Sequence, residues 1–153
     1  MKELMEYREK LIERLGEVTQ EFCEACESFD DPLMKMEGEW TVHQIASHIR
    51  DVDRHVYGMR IRRTLNEENP IFSSFNADGW MASEYRKDEP LKTILGDFSA
   101  SMDEMCNLLK ALPQAGWSRM SRHESLGNEL TLQLWAERGL AHIEEHLKTL
   151  KRG

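Results

Sequence analysis

The chain has 153 residues, of which 40% are hydrophobic and 31% charged, and this composition predicts a single globular domain over residues 1–153. Its net charge of -8 repels a phosphate backbone, which argues against nucleic-acid binding. No run approaches the ~18 apolar residues of a membrane-spanning helix, and the first residues lack a signal-peptide pattern. We therefore expect a cytoplasmic protein without a membrane partner.

The first predicted helix runs from about Lys2 to Phe29 and ends at residues 30–32, Asp-Asp-Pro. Cys23 and Cys26 form a C-x-x-C inside it. No strand precedes this pair, and two cysteines supply only half of a zinc site, so we interpret them as helix residues. An apolar stripe at helical spacing indicates the buried face: Leu4, Leu11, Leu15, Val18 and Phe22.

The second predicted helix begins at Thr41, where Thr41 and Gln44 fit a capping box, and continues to about Leu65. A basic cluster near its end is expected to complement the helix dipole rather than to bind a polyanion; its members are Arg60, Arg62 and Arg63. The core stripe consists of Ile45, Ile49, Val52, Val56 and Met59.

Two further helices follow a long connection. The third begins near Pro90 and ends by Pro113, and the fourth runs from about Thr131 to Leu150. No segment alternates long enough to predict a strand. The fold class is therefore all-α, a four-helix bundle with a long crossover, residues 66–89, between helices 2 and 3. Aromatic residues indicate that this crossover packs on the bundle: Phe72, Phe75, Trp80 and Tyr85.

The fourth helix carries two histidines, His142 and His146, four residues apart. They lie about 40° apart on one side of the helix and border its apolar face. Two imidazoles at this spacing can bind one metal ion, as in helical zinc motifs. The alternative is a pair of hydrogen-bonded or solvated histidines, and the spacing alone leaves both open.

A third ligand has to come from another helix, and the second helix offers His48 at the edge of its core stripe. His55 shares that side but lies about 10 Å further along the axis, and His43 lies off it. The predicted metal ligands are therefore His48, His142 and His146. Three nitrogens leave a position open for water or substrate, which is the catalytic rather than the structural arrangement.

Two segments resemble the signatures of the DinB-like (YfiT-like) superfamily. Residues 38–65, GEWTVHQIASHIRDVDRHVYGMRIRRTL, contain a Trp, a Thr cap and a helix with an inward His. Residues 126–150, LGNELTLQLWAERGLAHIEEHLKTL, contain a Gly, a Thr-Leu helix start and H-x-x-x-H. The likeness covers most of the chain in the right order. It departs before the fourth helix, where RHESLGN replaces the family's commoner His-Pro ahead of the glycine.

The resemblance implies a bundle that binds a divalent metal, zinc or nickel, through His48, His142 and His146, and it also implies a homodimer. It further implies a metal-dependent enzyme that acts on a small molecule, with thiol transfer from a low-molecular-weight thiol expected ahead of hydrolysis. Two alternatives stay open: a non-catalytic metal-binding or stress-response bundle that acts through protein interaction, and a bundle that keeps the histidines without an ion.

The sequence assigns no catalytic residue, but it offers three secondary candidates: Asp51, His55 and His123. Asp51 lies one turn after His48 and could act as an outer-shell acceptor or proton carrier, or be a surface carboxylate. Trp80 and Tyr85 are expected to wall the pocket. Gly139 leaves room either for an incoming group or for close helix packing.

Overall fold

Four long helical segments form the predicted bundle in the computed structural model, which describes residues 1–36, 38 and 40–152. Helix Leu132–Arg152 packs against helices Lys2–Glu27 and Gly58–Asn66, and helix Leu91–Lys110 packs against helices Lys2–Glu27 and Val42–Val52. The elements in chain order are α1 (Lys2–Glu27), α2 (Val42–Val52), a π-helical turn (Asp53–Tyr57), α3 (Gly58–Asn66), β1 (Ile71–Phe72), α4 (Ala77–Glu84), α5 (Leu91–Lys110), α6 (Gln114–Trp117), β2 (Met120–His123), β3 (Gly127–Thr131) and α7 (Leu132–Arg152).

The bundle core consists of the apolar stripes that the sequence predicts. Phe22 of α1 and Phe98 of α5 are fully buried and meet edge to face, with ring centroids 5.6 Å apart. Trp135 of α7 is also fully buried. Each large side chain contributes about 2–3 kcal/mol of hydrophobic stabilisation, so these contacts hold the helices in a fixed arrangement around the histidines.

The predicted second helix is one helical segment with a π-helical turn in its middle. It begins as predicted, because Thr41 and Gln44 form both hydrogen bonds of a capping box. The turn ends at Gly58, whose N–H donates to the Asp53 carbonyl five residues earlier. A Cβ at Gly58 would lie 2.6 Å from that carbonyl oxygen, so the turn requires glycine. π-helical turns insert one residue into an α-helix and often occur at functional sites.

The prediction that the chain forms no strand is wrong, although the fold class is confirmed as predominantly α-helical. The chain forms a small sheet in which β2 pairs in parallel with β1 and antiparallel with β3. These strands are two to five residues long, too short to show an alternating pattern. Their pairing joins the start of the crossover to the segment before α7, and this contact between distant residues leaves no local signal.

Over the described part of the chain, no helix has both the length and the apolar character to cross a membrane.

Candidate metal centre

Three histidines from two helices meet at one point of the bundle. His48 is on α2, and His142 and His146 are on successive turns of α7, with one ligand nitrogen of each within 4.8 Å of the others. The Nε2 atoms of His48 and His142 are 3.1 Å apart. The Trp40 ring packs on His48, with centroids 4.7 Å apart. The structure therefore brings together the three residues that the sequence predicts as ligands.

Burial keeps these imidazoles uncharged at neutral pH. Burial lowers the pKa of His48 to about 3, and the charges that His142 and His146 would carry lower it further. Burial, followed by the neighbouring His146, lowers the pKa of His142 to about 4. The pKa of His146 is also lowered by burial. A neutral imidazole has a free lone pair, which is the form that binds a metal ion.

The donor set fits a divalent cation. Two neutral imidazole nitrogens at 3.1 Å either share a proton or face the same cation, because two lone pairs repel at this distance. Two nitrogens of a tetrahedral zinc site are about 3.3 Å apart, close to the observed separation. Imidazole nitrogen suits zinc and nickel better than magnesium or calcium. The three histidines therefore fit a transition-metal ion through nitrogen ligands.

A cavity of about 290 Å³ lies directly beside the triad. His48 and His142 form part of its wall, together with Tyr57 from the π-helical turn. Burial raises the pKa of Tyr57, so its hydroxyl stays protonated near neutral pH and can donate a hydrogen bond. The cavity is the size of a small-molecule site, and it gives access to two of the three candidate ligands.

His123, one of the secondary candidates, lies in this cavity. It ends β2, is 6% exposed, and lines the cavity with His48 and His142. Its Nδ1 accepts hydrogen bonds from the backbone N–H groups of Ser125 and Leu126, at 3.1 and 3.2 Å. This pattern assigns the proton of the neutral ring to Nε2. Burial, together with the positive charge of Arg60, lowers the pKa of His123.

Asp51, the second candidate, is buried and takes part in an ion pair. Its Oδ1 accepts from Arg50 Nε at 3.0 Å, and its Oδ2 accepts from the indole N–H of Trp80 at 3.0 Å. Arg50 also pairs with Glu89 at 2.7 Å. Oδ2 of Asp51 therefore holds the crossover on α2 directly, and Oδ1 pairs with Arg50, which binds the crossover through Glu89. Asp51 is not an exposed surface carboxylate.

The third candidate, His55, and the predicted wall residues Trp80 and Tyr85 belong to the contact that docks the crossover on α2. His55 is exposed, and its ring lies 4.6 Å from that of Trp80. His43 binds the Tyr85 hydroxyl through Nδ1 and the Glu89 carbonyl through Nε2, both at 2.6 Å. Neither Trp80 nor Tyr85 lines the cavity; from the crossover region its wall includes Phe75 and Ala77 instead. Trp80 and Tyr85 thus attach the crossover to α2 outside the lining of the pocket.

Gly139 has a packing role. A Cβ at this position would lie 3.3 Å from Cβ of Tyr57, so the glycine lets α7 approach the π-helical turn closely. Of the two interpretations that the sequence left open, the structure favours close helix packing. This approach also places the Tyr57 ring next to His142, with centroids 5.7 Å apart.

Like Tyr57, Arg60 is one of the cavity residues that the sequence analysis missed. It was expected to complement a helix dipole, but it is only 5% exposed and lines the cavity. In a regular α-helix, twelve residues of separation put Arg60 about 120° away from His48. The residue that the π-helical turn inserts reduces this angle to about 20°. Predicting Arg60 as a cavity residue would have required a recognisable sequence signal for the π-helical turn, rather than one for the arginine.

Two other features do not belong to this site. A groove of about 890 Å³ lies along α1 and α5, and none of the triad lines it. Cys23 and Cys26 are free thiols in α1, as predicted. Burial raises the pKa of Cys23 to about 11 and also raises that of Cys26. Both thiols therefore stay protonated at neutral pH, so neither is an activated nucleophile.

Comparisons with known proteins agree with the fold described above. The family model of the DinB superfamily matches residues 3–150. A relative in Bacillus subtilis (strain 168), YfiT, is described as a candidate metal-dependent hydrolase; it is 26% identical over 150 residues, which cover 92% of this chain and 84% of YfiT. A solved structure of YfiT, described as a probable metal-dependent hydrolase with an unusual four-helix bundle topology, superposes with a TM-score of 0.83. That match has 23% identity and covers 96% of this chain and 85% of the other.

Proposed function

We propose, since this chain belongs to the DinB superfamily, that it is a metal-dependent enzyme whose ion is held by His48, His142 and His146. The observation that carries the proposal is the convergence of three neutral imidazoles within 4.8 Å beside a cavity. The ion is zinc or nickel, because nitrogen donors suit both. Three protein ligands leave a position open, as in catalytic zinc sites.

The reaction is nucleophilic attack on a small electrophilic substrate. When bound, the ion supplies Lewis acidity, which makes water or a thiol acidic enough to react near neutral pH. The likeness to YfiT, described as a candidate metal-dependent hydrolase, favours water and hydrolysis. This reverses the order expected from the sequence resemblance, in which transfer of a low-molecular-weight thiol came first. Thiol transfer remains in the test because the same chemistry activates either nucleophile.

The chain's own residues divide the remaining work. The three histidines are uncharged, as ligation requires, and hold the ion at the cavity wall. Tyr57 and His123 are the candidate hydrogen-bond donors, because both line the cavity and both keep a proton at neutral pH. We assign Tyr57 to donate a hydrogen bond to developing negative charge on the substrate. His123 contributes a neutral imidazole to the wall of the same cavity.

The test combines metal analysis with an activity screen. Elemental analysis of protein purified without an affinity tag should find close to one zinc or nickel ion per chain. The loaded wild type should then be screened against model esters and amides, with and without small thiols. His146→Ala should abolish turnover, whereas His55→Ala, on the exposed face, should retain it. Tight metal binding without any turnover would favour the non-catalytic metal-binding bundle.

The homodimer implied by the resemblance stays a prediction. Sedimentation at micromolar concentration measures it directly, and a single species of 17.9 kDa would contradict it.

A further inference from the structure

Arg60 is a buried positive charge in the wall of the cavity beside the triad. It lies on α3, is 5% exposed, and lines the cavity together with His48 and His142. An arginine is permanently protonated in proteins. The cavity therefore has a fixed positive charge on one side and the candidate metal ligands on another.

The guanidinium of Arg60 has few partners of its own. Its Nη2 donates to the Ser73 carbonyl at 3.1 Å, and its Nε has no hydrogen-bond partner. Among the residues that the structure describes, no carboxylate forms an ion pair with it. Its neighbours on the same helix differ, because Arg62 pairs with Glu104 at 3.9 Å and Arg63 with Glu67 at 2.7 Å.

Aromatic rings compensate only part of the cost of burying this charge. The Cζ of Arg60 lies 4.7 Å from the centroid of the Trp135 ring and 5.9 Å from that of Phe72. Cation–π contacts are weaker than the desolvation of a buried ion. The exposed Arg138 adds positive charge in the same region, since it and Arg60 both lower the pKa of His123, against an opposing effect of Glu124. The side of the cavity formed by Arg60 therefore lacks an anion.

We propose that this cavity binds a small organic carboxylate and that Arg60 recognises its carboxylate group. A guanidinium binds carboxylates through strong, charge-assisted hydrogen bonds. One buried guanidinium balances the single charge of a carboxylate better than the double charge of a phosphate monoester. The hydroxyl-bearing Ser74 and Ser125 also line the cavity and can donate to an anion. The proposed function is needed only for the further statement that this carboxylate is the enzyme's substrate.

The orientation of the bound molecule follows from the cavity walls. With its carboxylate at Arg60, the rest of the molecule extends within about 290 Å³ towards His48 and His142. The substrate is therefore a short-chain acid whose reactive group is separate from its carboxylate. In this arrangement Arg60 determines specificity, because it selects acids over neutral molecules of the same shape.

Propionate and propionamide test the proposal, since the two have nearly the same shape and differ in charge. We expect propionate to shift the indole N–H resonance of Trp135, which lies under Arg60, in ¹H–¹⁵N spectra of the full-length protein. Trp135→Phe identifies this resonance. Propionamide should bind more weakly than propionate by about tenfold or more, which is the scale of a charged hydrogen bond. The titrations are done at constant ionic strength on protein as purified and again in EDTA.

Arginine variants on one helix provide the controls. Arg60→Met should remove the preference for propionate, and Arg60→Lys should keep part of it because a point charge remains. Arg63→Met is matched, since Arg63 also lies over the Phe72 ring, at 5.1 Å, and it should leave the preference unchanged. Equal binding of the two probes, or a preference that survives Arg60→Met, would overturn the proposal.

The EDTA titration separates this proposal from the metal site. A preference for propionate that vanishes in EDTA would mean that the anion binds to the ion, and this would also overturn the role of Arg60. A preference that persists in EDTA and depends on Arg60 supports the proposal even if metal analysis fails to find an ion.

Discussion

Two groups of polar side chains each include residues of the helical segment formed by α2, the π-helical turn and α3, and they differ in how their polar atoms are satisfied. In the docking cluster, each charge has a partner; its members are His43, Arg50, Asp51, Trp80, Tyr85 and Glu89. In the cavity cluster, the Nε2 atoms of His48 and His142 face each other and Nε of Arg60 has no partner. Its members are His48, Arg60, His123, His142 and His146. Satisfied groups hold the crossover in place, whereas unsatisfied groups beside a cavity indicate a ligand.

The largest expected effect is on metal affinity. His142→Ala removes a ligand of the cavity cluster, and we expect zinc affinity to fall by more than about a hundredfold, since even outer-shell changes cost up to that much. His43→Ala removes a histidine of the docking cluster on the same helix as His48. It should keep metal affinity near that of the wild type. Competition with a chromophoric chelator measures both, and equal losses in the two variants would contradict the comparison.

A matched pair of arginine variants tests the same difference through stability. Arg50→Met leaves Asp51 and Glu89 without their cation, and we expect the free energy of unfolding to fall by about 2–3 kcal/mol. Arg60→Met leaves no carboxylate behind and removes an unpaired buried charge. Its free energy of unfolding should change by less than about 1 kcal/mol or increase. Urea unfolding at pH 7 checks both, and a loss for Arg60→Met as large as for Arg50→Met would remove the distinction.

The sequence predicts the parts of the molecule that depend on regular helical geometry. The apolar stripes give the four-helix bundle, and the four-residue spacing of His142 and His146 places them together opposite His48. The same geometry fails after Val52, because the π-helical turn inserts a residue. This insertion rotates Arg60 into the cavity and turns His55 out to solvent.

Other features depend on contacts between distant residues. Phe72 meets His123 only when β1 pairs with β2, and Trp80 reaches Asp51 only when the crossover folds back on α2. Neither contact has a spacing or a pattern along the chain. For this reason the sequence placed Trp80 in the pocket wall and Asp51 among the catalytic candidates, although together they form a docking contact.

Asp53 shows that a shifted pKa alone does not define a site. Burial raises its pKa to about 6, against the opposing charges of Arg62 and Arg54, and it does not line the cavity. A raised carboxyl pKa favours the folded state at low pH, so this contribution is present below pH 3.8 and is lost as the pH rises through about 6.

We therefore expect Asp53→Asn to be more stable than the wild type by about 1–2 kcal/mol at pH 7.5. The difference should shrink as the pH falls through about 6 and disappear at about pH 3, where the carboxyl of the wild type is mostly protonated in both states. Urea unfolding of both proteins across this range cancels the titration of other groups. A difference that does not change with pH would show that the Asp53 carboxyl does not titrate differently on folding.

The smallest expected effect concerns the glycine that brings α7 close to the π-helical turn. Replacing a glycine in a helix interior by alanine stabilises the helix by about 1 kcal/mol through propensity. At Gly16 of α1, a Cβ would meet nothing within 4 Å, whereas at Gly139 it would lie 3.3 Å from Cβ of Tyr57. Gly16→Ala should therefore increase the melting temperature, and Gly139→Ala should increase it less or decrease it. Because the propensity gain is common to both, the difference measures the contact alone. Equal gains would mean that Tyr57 moves away at no cost, and the cavity wall beside His142 would then be less rigid than its packing implies.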